Sequence, residues 1–221
     1  MCYNVATNFK EALHMKRFLA CLLAMFRAGP AALAEFDIAA LKADPDLMIF
    51  THPGTVNTVY PQPNQPYIGQ VDEAFEGELV AYVDYLTLAD EGVTLLRLMI
   101  STVVYDMPIN ADQLRLTVGG KSYTLTVPHE ESEYDGLYME DYTACLTDAS
   151  LPLLKAIAQQ KTDAPIPVEL LSLDEVVFSG LVVIPGEEAA GLYDRFIDLG
   201  GKKQELKKLD AIWPCKVENV K

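Results

Sequence analysis

The sequence predicts an α+β fold built mostly on antiparallel sheet, carried by a single domain behind a removable amino-terminal segment. Three observations support this. Residues 113–127 read as a self-registering hairpin, long β-branched and aromatic runs precede it, and a helix–strand–strand–helix order follows it.

The amino-terminal segment reads as an export signal. Lys16 and Arg17 precede the wholly apolar run Phe18–Phe26, which is followed by Gly29, Pro30 and the small-residue pattern Ala32-Leu33-Ala34. A charged start, an apolar middle and an A-x-A end match a secretory signal over 15–34. The run falls well short of the roughly 20 apolar residues that span a bilayer. Residues 1–14 read as an upstream extension, and 35–221 as the domain proper. A buried amphipathic helix is the alternative reading of the apolar run. Cys21 interrupts that run rather than ending it, which argues against lipid attachment.

Charge then bounds the partners. The chain has 17 basic and 32 acidic side chains, a formal charge of −15. Removing residues 1–34, with Lys10, Lys16, Arg17, Arg27 and Glu11, takes it to −18. Such a surface repels phosphate backbones and anionic lipid, so nucleic acid is an unfavourable partner. No later apolar run is long enough to anchor the chain in a membrane.

Along the domain, Glu35 to Ala43 reads as a short helix and Leu47 to Thr51 as a strand. The stretch from His52 to Tyr67 holds Pro53, Pro61, Pro63 and Pro66, which favour extended or looped backbone. Residues 68–127 are strand-rich. Glu78 to Leu88 and Val93 to Tyr105 carry the β-forming side chains, and Leu96, Leu98, Ile100, Thr102 and Val104 share one face of the second run. Around Gly119-Gly120, pairing Val118 with Lys121 puts Leu116 opposite Tyr123 and Leu114 opposite Leu125. That register gathers the apolar residues on one face, and a one-residue slip would scatter them.

Residues 128–141 read as a polar connection rich in carboxylates, leading to a strand near Leu137–Leu146. Residues 147–213 then give helix, strand, strand, helix. The main helices are expected at about 149–160, capped by Asp148 or Ser150, and at about 187–199. A basic segment, Lys202 to Lys208, forms a possible third helix before Trp213 and Cys215.

Chemistry-bearing motifs are sparse. The sequence has no phosphate-binding glycine loop, no dinucleotide fingerprint and no nucleophile elbow, so it implies no cofactor. His52 and His129 are the domain's histidines; paired with a carboxylate, either would suit acid–base work in a secreted hydrolase. Both lack a second ligand at helical or strand spacing, and surface histidine is the plainer reading. Glu130, Glu131, Glu133 and Asp135 are weak calcium candidates, because hard oxygens suit calcium but the ligand spacing of a calcium loop is missing. Cys145 and Cys215 form a disulfide candidate in an oxidising compartment. Tyr60, Tyr67, Tyr134 and Tyr138, with His52 and His129, are ligand-contact candidates, since rigid amphipathic rings suit recognition. The leading expectation is an exported, acidic, non-enzymatic binding domain for an unknown protein or small ligand. A hydrolase and a calcium-stabilised accessory domain are the alternatives.

Overall fold

The computed structural model describes residues 47–51, 57–61, 66–88, 93–160, 163–198 and 214–220. The signal segment, the short helix expected over 35–43, His52 and the basic helix expected over 202–208 lie outside the described residues.

Hydrophobic alternation organises the described chain into two antiparallel sheets around one core. β1 (Leu47–Thr51) and β2 (Asn57–Pro61) form a two-stranded hairpin, so the proline-rich stretch expected to be extended or looped contains a paired strand. There follow β3 (Tyr67–Ile68), β4 (Gln70–Val71), β5 (Glu78–Leu88), β6 (Val93–Tyr105), β7 (Gln113–Val118) and β8 (Lys121–Thr126). Next come β9 (His129–Tyr134), β10 (Leu137–Cys145), helix α1 (Leu151–Ala158), β11 (Ile166–Ser172), β12 (Glu175–Val182), helix α2 (Gly186–Asp198) and β13 (Cys215–Asn219). One sheet runs β3-β5-β6-β10-β9 and the other β13-β8-β7-β11-β12-β4. The expected antiparallel sheet therefore dominates, with two helices beside it.

The hairpin at Gly119-Gly120 has the register that its pattern requires: Val118 opposite Lys121, Leu116 opposite Tyr123, Leu114 opposite Leu125. Both glycines take positive φ, as a two-residue primed turn demands. The acidic stretch departs from expectation. His129–Tyr134 is strand β9, joined to β10 by the two-residue turn Asp135-Gly136, both with positive φ, so Tyr134 faces Leu137. An Asp-Gly pair between runs rich in Tyr and Leu is itself a hairpin signal, and here it outweighs the carboxylates.

The two sheets share a strand at one edge. β3 pairs with β5 in the first sheet, β4 pairs with β12 in the second, and Gly69 is the hinge between them. Its N–H donates to the Leu79 carbonyl at 2.8 Å. A Cβ at Gly69 would lie 2.8 Å from the Leu181 carbonyl oxygen, and one at Gly180 would lie 2.6 Å from that of Gln70. Backbone therefore meets backbone here, and side chains have no room. On the other side, β8 continues through Val127 and Pro128 into β9, so the chain crosses between the sheets again.

The core is continuous. Leu79, Ala81 and Val83 from β5 join Leu96, Leu98, Ile100 and Val104 from β6. They meet Leu114, Leu116, Tyr123, Leu125, Val168, Leu170 and Phe178 from the opposing sheet. Leu151, Leu153, Leu154 and Ile157 extend the same core from α1. Ser150 stands at the expected cap, but its hydroxyl accepts the Thr147 N–H at 2.7 Å instead of capping the helix. α2 begins close to the expected position, with Glu187 and Glu188 in its first turn.

Gly180→Ala tests the sheet crossing. The added methyl meets the Gln70 carbonyl oxygen and the buried Leu79 side chain, so chemical denaturation should show a loss of about 2 kcal/mol. An unchanged midpoint would contradict the close approach.

Candidate functional site

The loop between β6 and β7, Asp106 to Asp112, is held by a carboxylate that water does not reach. Glu140 sits on the inward face of β10, fully buried. Its Oε2 accepts the Ile109 N–H at 2.6 Å and its Oε1 accepts the Asn110 N–H at 2.9 Å. The Tyr142 hydroxyl donates to Oε1 at 3.0 Å and accepts the Ala111 N–H at 3.3 Å. Three successive amides of the loop are thus satisfied by two side chains of one strand. Hydrogen bonds to a charged group contribute about 1.5–3 kcal/mol each. They offset the several kcal/mol that burying a carboxylate costs.

His129 completes the cluster. It stands opposite Tyr142 across the β9–β10 pair, and their ring centroids lie 5.4 Å apart. Its Nε2 is 3.9 Å from Glu140 Oε1, beyond hydrogen-bond reach. Burial raises the Tyr142 phenol well above its ordinary value of 10.0; the Ala111 amide opposes that shift and the Glu140 carboxylate adds to it.

Above this anchor the outer face of the five-stranded sheet carries an apolar patch. Tyr105, Leu137 and Tyr134 form one row across β6, β10 and β9, and Val103 and Met139 are neighbours in the next. Residues directly opposite in antiparallel strands share a face, so these side chains are contiguous. Tyr105 is 55% exposed, Tyr134 70% and Met139 40%. Met107, in the loop that Glu140 holds, is 74% exposed. Isolated apolar residues on a surface need no explanation, but a contiguous aromatic and methionine cluster does.

The expected contact residues are therefore divided. Tyr134 belongs to this patch and His129 to the buried cluster beneath it. Tyr138 points to the other side of β10 and packs against the core. Tyr67 is remote from both: its hydroxyl donates to Glu188 Oε2 at 2.7 Å, tying β3 to α2. Tyr60 lies on β2, and its side chain is outside the described residues. Tyr105, Met107, Met139, Glu140 and Tyr142 were not among the candidate site residues read from the sequence. The Asp135-Gly136 turn would have fixed the β9–β10 register and drawn Tyr134 and Leu137 together.

The structure bears on two further expectations. Cys145 and Cys215 are not joined to each other in this structure. Cys145 ends β10 in one sheet, and Cys215 opens β13 in the other, opposite Leu125. The calcium candidates are not gathered: strand alternation sends Glu130 to the face opposite Glu131 and Glu133, and Asp135 is in the turn. Among the described residues no group of three or more His, Cys, Asp or Glu side chains is placed to hold a metal ion. A shallow groove of about 120 Å³ lies between the helices, lined by Leu154, Ala158 and Tyr193, with the Lys155 ammonium 5.1 Å from the Tyr193 ring centre. No helix among the described residues is long and apolar enough to cross a membrane.

No family model, curated protein or solved structure matches this chain.

Tyr142 gives the cluster an alkaline signature. Below pH 10 its phenol is protonated whether the chain is folded or not. Above that, the unfolded chain releases the proton and the folded protein keeps it, so stability falls as pH rises. Tyr142→Phe should cost about 3 kcal/mol at neutral pH, through the lost acceptor of Ala111 and the lost donor to the Glu140 carboxylate. It should also lose less stability above pH 10 than the parent protein. Urea unfolding of both proteins at the two pH values measures this, and equal alkaline losses would contradict it.

Proposed function

We propose that this chain is an exported, acidic, non-enzymatic binding domain, and that its contact surface is the patch of Tyr105, Met107, Tyr134, Leu137 and Met139. The observation that carries the reading is that Tyr105, Tyr134 and Met139 are exposed on one outer sheet face, with half-buried Leu137 between the two tyrosines and exposed Met107 in the adjoining loop. Tyrosine and methionine are enriched where proteins bind one another, and each combines a large contact area with adaptable packing. Export rests on the amino-terminal pattern over 15–34.

A hydrolase built on His129 and Glu140 has less support. Both Glu140 oxygens already accept hydrogen bonds, and the histidine stands 3.9 Å away. A general base needs a free lone pair within reach of a substrate proton. A calcium-stabilised domain has less support still, since the acidic side chains of β9 alternate between two faces.

Panning a random peptide library against the intact chain tests the surface. Peptides enriched on the parent protein should bind the double variant Tyr105→Ser, Tyr134→Ser at least about tenfold more weakly, a loss near 1.4 kcal/mol. Peptides that bind both proteins equally, or a library that yields none, would count against this surface.

A further inference from the structure

The patch is apolar, and among the described residues it is flanked by several carboxylates. Asp106 is exposed at the end of β6 beside Tyr105 and Met107, and Asp135 is exposed in the turn beside Tyr134. Glu78 stands opposite Val103 on the flanking strand β5. Asp141 and Glu130 face each other one row below Met139, with the Ser101 hydroxyl donating to Asp141 at 2.5 Å. The segments that build this end of the sheet, 66–83, 98–114 and 128–144, contain no lysine or arginine at all. On β6 itself the basic side chain is Arg97, which shares the outer face and stands four residues from Ser101, so it borders the Asp141 row rather than the Tyr105 row.

From this juxtaposition of an exposed Tyr/Met cluster with flanking carboxylates, we infer that the patch receives a cationic amphipathic segment of another polypeptide, apolar face down and basic residues outward. The inference rests on the surface assigned above and adds the chemistry of its partner. Dimensions suit a helix. Three strands set about 4.8 Å apart span roughly 10 Å. That is the width of one α-helix with its side chains, and apolar residues at helical spacing would meet the Tyr105–Leu137–Tyr134 row. Charge excludes the other occupants. A second copy brings the same −15 and the same acidic rim, and phosphate-bearing partners meet repulsion on every side. The rim carboxylates surround the patch at distances comparable with the ~10 Å screening length of 0.1 M salt. Their contribution is therefore real at physiological ionic strength and weakens above it.

The test uses the full chain and two synthetic Leu/Lys peptides of about 15 residues. One has its leucines on a single helical face, and the other has the same composition scrambled. Fluorescence anisotropy should show the amphipathic peptide binding at least about tenfold more tightly than the scrambled one. Binding should weaken with added salt, and Tyr105→Ser with Tyr134→Ser should remove the difference between the peptides. Equal binding of the two peptides, or binding unchanged by the double variant, would overturn the inference by reducing it to diffuse charge attraction. The library separates the two levels of the claim. Enriched peptides that need Tyr105 and Tyr134 yet are neutral or acidic would refute the cationic partner and keep the surface. Enriched peptides indifferent to both tyrosines would refute both.

Discussion

Glu140 is the constraint on which the β9–β10 end of this protein depends. A carboxylate shut away from water must find donors, and this one finds them in a loop 31 residues upstream in sequence. The contact converts an irregular connection into a fixed one. It also joins the inner and outer faces of one sheet. Glu140 and Tyr142 point inward and hold Ile109, Asn110 and Ala111, while their neighbours Leu137 and Met139 point outward. The loop they hold is the one that carries Met107 to the surface. Strand alternation thus makes one short segment of β10 both the anchor and part of the surface that is anchored.

The rest of the fold serves to place that segment. β10 lies between β6 and β9, so its position is set by pairing on both sides. β6 in turn pairs with the long β5, whose Leu79 packs under the crossing at Gly69 and Gly180. Two sheets that share strands at their edges cannot slide on each other, which gives the outer face a rigid support. The helices extend the core at α1 without touching the patch. A rigid scaffold with adaptable side chains on one face is a physical form suited to recognition, because little conformational freedom is lost on contact.

Much of this was legible in the sequence, for reasons that separate the parts. The 113–127 hairpin was readable because turn chemistry and alternation both specify one register. The inward face of β6 was readable because Arg97 and Ser101 mark the opposite face. β10 was harder: Leu137, Tyr138, Met139 and Tyr142 place apolar side chains on both faces, so period alone assigns neither. Glu140 was beyond reach, since a buried carboxylate becomes acceptable only through donors that tertiary structure brings to it. β13 was missed because five residues at the end of a chain, four of them exposed, have no pattern of their own. The acidic run of β9 read as a solvated connection because its charges concealed the turn that organises it.

Native-state hydrogen exchange at Ile109 and Asn110 is the most direct measurement of the central claim. If the Glu140 carboxylate holds the loop, both amides should exchange as slowly as those of the buried strand β7. Replacing Glu140 with Gln should then accelerate these two selectively and leave β7 protected. Fast exchange at Ile109 and Asn110 in the parent protein, or no change in the variant, would show that the loop is held by something else.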